Sequence, residues 1–167
     1  GALLVFERET MLSDIAATGT IIDAETSVAL FGNIFFNKAP LHDGASIIRD
    51  GKLFAAGCIL PLTTNQNVDI NLGTRHRAGI GISEVSDSMT LIVSEETGSI
   101  SIAQGGELFR NLDSEGVRRH LQTLCKEYSE KRYHRASGAR PIKKRRKRVV
   151  IENKNKASGK EADDDEK

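Results

Sequence analysis

Residues 45–60 constrain the fold more than any other stretch of the chain. Ala45–Arg49 and Lys52–Leu60 are two apolar runs of strand length, separated by Asp50-Gly51. Asp-Gly readily supplies the positive-φ residues that a tight turn needs, so the pattern predicts an antiparallel hairpin. Pro61 ends the second run, since proline cannot donate to a ladder. Just before the first run, Leu41-His42-Asp43-Gly44-Ala45 sets a histidine and an acid at the mouth of what reads as a buried strand. Two residues with almost no side chain follow them.

The rest of the chain supplies what such a hairpin can pack against. Residues 1–6 read as a short buried strand ended by Glu7-Arg8-Glu9, and residues 11–17 as a short helix. Val28, Leu30, Phe31, Ile34 and Phe35 recur at helical spacing, predicting a helix from Ala24 to Phe36 capped by Asp23 and broken by Pro40. Residues 63–73 are polar and loop-like. Thr74 to Val85 reads as a helix despite Gly79 and Gly81. Met89–Val93 and Ser99–Ala103 read as strands around a Glu95-Glu96-Thr97-Gly98 turn, and Ser114 onward as a helix through about Tyr128. Strands interleaved with helices and joined partly by hairpins predict an α/β fold: a single domain with a central mixed β-sheet flanked by helices.

Charge divides the chain in two. Residues 1–125 carry 9 Lys+Arg against 15 Asp+Glu; residues 126–167 carry 15 against 8. An acidic body argues against a nucleic-acid-binding main surface. The domain is therefore expected over 1–125, with a charged, disordered tail over 126–167. That tail holds a basic run at Arg140–Arg148 and an acidic end, Glu161–Lys167. Cys58 and Cys125 make neither a disulfide framework nor a CxxC metal pattern, which fits a reducing compartment. No apolar run is long enough to span a bilayer, and no signal peptide is visible. The strand-like opening Gly1-Ala2-Leu3-Leu4-Val5-Phe6 is expected of a fragment excised from a longer protein.

Three clusters could carry chemistry. In His42-Asp43-Gly44-Ala45, the acid could activate a hydroxyl or hold a metal, and the small residues would admit a ligand to the backbone; the same letters also suit a plain turn. In Gly73-Thr74-Arg75-His76-Arg77, a cap by Thr74 would turn backbone N–H groups toward an anion, and Arg75 and Arg77 would add charged hydrogen bonds. A solvated helix start is the alternative, though a body with so few basic residues rarely clusters them. In Ser94-Glu95-Glu96-Thr97-Gly98, the acids could ligate Mg²⁺ or Mn²⁺ or simply decorate a hairpin turn. There is no GxxxxGK[ST] and no GxGxxG. All three clusters fall at strand ends or helix starts, where open α/β sheets bind ligands.

The order LHDGA, GTRHRA, GISEVSDS and SEETG resembles the diadenylate cyclase family, the DisA-N or DAC domain, and within it the membrane-anchored CdaA type. The likeness runs from residue 1 to about residue 124. It implies the DAC-domain fold and the condensation of two ATP molecules into cyclic di-AMP with release of two pyrophosphates. It implies catalytic roles for Asp43, Arg75 and Arg77. Nucleotide contacts are implied at Gly44, Ala45, Leu60, Thr74, Arg75, His76, Arg77, Ser94 and Glu95. Mg²⁺ or Mn²⁺ is implied at His42, Asp43 and Glu96. Because one such site holds one ATP, the chemistry implies a face-to-face homodimer. An N-terminal membrane anchor is implied upstream, which would put the full-length protein at the cytoplasmic face of the membrane and leave this piece soluble. Two other readings compete. One is a catalytically silent nucleotide-binding regulatory module. The other is a nucleic-acid binder working through Arg140–Arg148.

Overall fold

The computed structural model describes residues 1–137 except 67, 70 and 71, with side chains to residue 130. The elements in chain order are β1 (Ala2–Phe6), α1 (Ser13–Ala16), β2 (Thr20–Glu25), α2 (Val28–Ile34), β3 (Ala45–Arg49), β4 (Lys52–Cys58), α3 (Thr74–Val85), β5 (Met89–Val93), β6 (Ile100–Gln104), β7 (Glu107–Phe109) and α4 (Ser114–Ser137). The strands form one seven-stranded sheet in the order β2-β4-β3-β1-β5-β6-β7. β1 and β3 are parallel and every other neighbouring pair is antiparallel, so the sheet is mixed as expected.

Side-chain alternation along the central strands sorts the core into two faces. Leu3, Val5, Ala45, Ile47, Ile92 and Ala103 point to one face and pack with Ala16 of α1 and Ala78, Ile80 and Ile82 of α3. Ile48, Leu53 and Ala56 point to the other, beneath Ile34, Leu30 and Phe31 of α2. Met89 and Ile102 meet Leu121, Leu124 and Tyr128 of α4. Ala45–Ile48 are buried at four successive positions, as a central strand covered on both sides must be. The Asp50-Gly51 turn is made, with φ +50° and +83°, the positive pair of a type I′ hairpin.

Three expectations need correcting. Asp23 caps no helix: it has φ +48° and sits where the β2–β4 register shifts, and residues 20–25 form an exposed edge strand. The helix begins later, with the Ser27 hydroxyl accepting from the Leu30 N–H at 3.1 Å. Thr74 is likewise no cap: Gly73 holds that position with extended backbone, and Thr74 is the first helical residue. The third concerns α4, which spans Ser114–Ser137 and so runs past both residue 125 and the expected end near Tyr128. Its Tyr128 hydroxyl donates to the Glu7 carbonyl at 2.6 Å, and its Glu127 grips Arg8 through two bonds of 2.6 and 2.8 Å. These contacts fasten the helix to the end of β1, so the expected boundary at 125 falls inside a packed element. Residues 138–167, with the basic and acidic runs, lie outside the described residues. Among the described residues, no helix is long and apolar enough to cross a membrane.

Glu7 was not expected to matter, yet it organises this end of the sheet. It is buried, takes a bidentate bond from Arg49 at 2.7 and 2.8 Å, and accepts the Leu12 N–H at 2.8 Å. The Arg49 guanidinium also lies 3.7 Å from the centre of the Phe54 ring. A charge placed there is tolerated because every oxygen of the pair is used.

Candidate active site

At the opposite end of β1, a cavity of about 480 Å³ opens between the mouth of β3, the end of β4 and the first turn of α3. Asp43 and Gly44 form one wall, Leu60 and Ile59 another, and Thr74 and Arg75 a third. The fold explains why these residues meet. β3 lies beside β1 and pairs with β4, which brings Ala45 opposite Cys58, and α3 packs across β1, β5 and β6 so that its N-terminus overhangs the same edge.

Gly44 is required by its surroundings. Its φ is +96°, and a Cβ there would sit 2.8 Å from both the Cys58 carbonyl oxygen and the Gly57 carbonyl carbon, neither of which can yield. The small residues after His42-Asp43 thus let this loop lie directly on the end of β4. Asp43 is exposed on the cavity wall, with no hydrogen-bond partner among the described residues. His42 holds its Nδ1 2.7 Å from the Ala39 carbonyl, which can only accept, so Nδ1–H donates and Nε2 is the nitrogen left over.

Arg75 ties the clusters together. Its Nη2 donates to the His42 carbonyl at 3.3 Å and its Nη1 pairs with Glu95 at 2.5 Å, while its Nε–H is buried without a partner among the described residues. One guanidinium therefore links the His42-Asp43 loop to the Ser94–Gly98 turn and keeps an unspent donor. The remaining expected residues are less united. Leu60 and Thr74 line the cavity; Ala45 is buried behind it. Ser94 accepts the Thr97 N–H at 3.3 Å within its turn, and Glu96 is exposed on that turn, outside the cavity lining.

His76 and Arg77 part company with Arg75. Arg77 lines a different cavity, with Thr63 and Thr64. His76 is buried against β6, with Nε2 3.5 Å from the Ser101 hydroxyl. Burial, reinforced by the charge of Arg110, lowers its pKa and keeps the ring neutral. Neither side chain touches the first cavity.

The sequence reading missed Leu3, Gly57, Cys58, Ile59, Leu62 and Ala78 as lining residues. Most are apolar, so nothing but their place in the fold marks them. In the structure Ile59 and Leu62 stand out as large aliphatic residues left 70% and 46% exposed.

Among the described residues, no three His, Cys, Asp or Glu side chains gather closely enough to cage a metal ion. Mg²⁺ does not demand such a cage, because it commonly takes one or two carboxylates and completes its shell with phosphates and water. The Asp43 carboxylate, without a partner among the described residues, suits that mode.

Comparison with known proteins agrees with this geometry. Residues 1–108 match the family model described as DisA bacterial checkpoint controller nucleotide-binding, the DAC family. The chain is 48% identical over 126 residues to the cyclic di-AMP synthase CdaA of Bacillus subtilis, covering 75% of this chain and 46% of that protein. It is 47% identical over 121 residues to a diadenylate cyclase of Listeria monocytogenes, covering 72% and 44%. Among solved structures, a double mutant of DacA from Staphylococcus aureus superposes with a TM-score of 0.70 at 46% identity, covering 76% of this chain and 83% of that one. A protein from Bacillus cereus described as membrane-spanning superposes with a TM-score of 0.65 at 46% identity, covering 67% and 55%. The chain belongs to the DAC family of nucleotide-binding domains. It spans less than half the length of the curated relatives named above.

Proposed function

We propose that the chain is the catalytic unit of a diadenylate cyclase that condenses two ATP molecules into cyclic di-AMP. The observation that carries this reading is the reach of Arg75: one cation joins the Asp43 loop to the Glu95 turn at the rim of a nucleotide-sized cavity and retains an unpaired donor. Adenosine would lie between Leu60 and Gly44. Asp43 would accept the proton of the 3′-hydroxyl as its oxygen attacks the α-phosphate of the facing ATP. That bond forms as the bond from the α-phosphorus to the β-bridging oxygen breaks, and pyrophosphate departs. Arg75 would neutralise charge building on the phosphate, the main work of catalysis in such transfers. His42, Asp43 and Glu96 would hold Mg²⁺ or Mn²⁺, which when bound would supply further neutralisation of the phosphates.

One cavity per chain holds one ATP, while the product needs two. The reading therefore includes a homodimer with the cavities face to face. The membrane-spanning description of the Bacillus cereus relative extends it to a full-length protein held at the membrane with this domain on the ATP-containing side.

The test is incubation of the chain with ATP and Mg²⁺ or Mn²⁺, with products separated by chromatography and identified by mass. Cyclic di-AMP from the parent and none from Asp43→Asn is the expected result. ATP binding without product at any protein concentration would replace the cyclase with a nucleotide-binding regulatory module.

A further inference from the structure

The GISEVSDS run, residues 81–88, gives no residue to the lining of the first cavity, yet its opening residues hold one wall of that cavity from behind. The wall is the stretch that follows β4 and carries Ile59, Leu60 and Leu62 along the lining. Ile59 and Leu62 are large, aliphatic and exposed, so burial alone does little to fix it.

Polar contacts pin the wall at both ends. At the near end, the Thr18 hydroxyl accepts the Ile59 N–H at 2.9 Å and donates to the Ile15 carbonyl at 2.6 Å. At the far end the wall meets α3. Arg77, Gly81 and Glu84 are spaced four and three residues apart, so they share one face of that helix. The Thr63 N–H donates to the Arg77 carbonyl at 3.1 Å. A Cβ at Gly81 would overlap the Pro61 carbonyl oxygen and stand 2.7 Å from the Leu62 carbonyl carbon and the Thr63 nitrogen, all of them backbone. The Thr63 hydroxyl donates to the Glu84 carboxylate at 2.7 Å and accepts the Asn65 N–H at 3.1 Å. The missing side chain of Gly81 thus lets helix and wall touch backbone to backbone, and Thr63 fastens them. Thr63 is buried, and a buried hydroxyl needs an acceptor. Here the acceptor is charged, which makes the bond stronger than a neutral one.

We propose that Glu84 is a positioning residue for nucleotide binding: through the Thr63 hydroxyl it sets the Ile59–Leu62 wall against which adenosine lies. The proposal rests on the reading of that cavity as the adenosine site. Glu84 is not among the lining residues, so its effect travels through one hydrogen bond.

Two measurements test it. Hydrogen exchange read by mass spectrometry on peptides covering 59–63 reports the clamp with no nucleotide present. Exchange there rises in Glu84→Ala and in Thr63→Val. It rises far less in Glu84→Gln, which keeps an acceptor, and in Thr63→Ser, which keeps the donor. Calorimetric titration with AMP, which cannot turn over, reports the consequence. Glu84→Ala and Thr63→Val each weaken AMP binding about tenfold, the scale of one charge-assisted bond. The double variant is no weaker than either single one, and the two conservative variants recover most of the loss. In the cyclase assay the loss falls on KM for ATP more than on kcat.

Parent-like AMP affinity in Glu84→Ala would overturn the proposal. So would a Glu84→Gln variant as weak as Glu84→Ala, which would make the charge responsible and not the bond. A urea midpoint lowered in Glu84→Ala, with exchange at 59–63 and AMP affinity unchanged, would overturn it too and leave Glu84 merely structural. No AMP binding by the parent, with exchange responding as expected, would defeat the adenosine reading of the cavity and leave the clamp by Glu84 standing.

Discussion

Replacing Arg75 by alanine should cost catalysis far more than it costs the fold. The Glu95 side chain is 58% exposed and stays hydrated when its partner is removed, so the lost ion pair is worth about 1 kcal/mol or less. Against that stands the Nε–H, buried without a partner, whose removal lifts a penalty of about 1–3 kcal/mol. The bond to the His42 carbonyl is long, at 3.3 Å, and contributes at the low end of about 0.5–1.5 kcal/mol. These terms nearly cancel, and the net change in stability should stay within about 1 kcal/mol of zero. Loss of a donor aimed at developing charge costs about 10²–10³ in rate, or roughly 2.7–4 kcal/mol of transition-state stabilisation. Arg75→Lys keeps the charge but not the planar fork and should recover only part of that loss. The assay is the initial rate of cyclic di-AMP formation at subsaturating ATP for parent, Arg75→Ala and Arg75→Lys, beside urea denaturation of each. Parent-like rates in Arg75→Ala would refute the role given to the guanidinium. Destabilisation by several kcal/mol would show instead that Arg75 is structural.

Three further outcomes follow from the packing. Glu7→Gln leaves Arg49 without its buried counter-charge and should destabilise the fold by about 3–5 kcal/mol, read from the urea midpoint at unchanged slope. His76, its pKa lowered by burial, binds its proton more readily when unfolded. The stability it gives is therefore present above the unfolded value near 6.5 and is lost as pH falls below it; thermal melts between pH 7.5 and 5.5 should fall more steeply for the parent than for His76→Asn. Burial pushes the Cys58 thiol up to about 11 while Cys125 is exposed, so limited alkylation at pH 8 followed by peptide mapping should label Cys125 and spare Cys58.

Where local chemistry decides the structure, the sequence could be read closely. The Asp50-Gly51 turn, the limits of β3, α3 and β5, and the meeting of Asp43, Gly44, Thr74 and Arg75 at one edge all follow from turn residues, periodicity and the rule for sheet edges. Where distant pairing decides, it could not. Thr20–Glu25 forms an edge strand only because β4 is there to pair with, and its Asp23 bulge looks locally like a helix cap. Gly105-Gly106, a positive-φ pair leading into β7, was a hairpin signal left unread. Counting outward from Arg49 and Lys52 sets Ala45 opposite Ala56; two register shifts bring Cys58 there instead and carry Ile59 and Leu60 to the cavity. The Arg-His-Arg run reads as one phosphate corner on paper. Helical rotation separates it into a cavity cation, a buried neutral histidine and a second cation facing elsewhere.

The central claim is that each chain supplies half of a reaction centre and that two must face each other. The most direct measurement is specific activity for cyclic di-AMP formation across a wide dilution series, with the sedimentation of the same samples followed in parallel. The account predicts that activity per chain falls on dilution in step with the loss of dimer, and recovers on concentration. Constant activity per chain in samples that sediment wholly as monomer would contradict it.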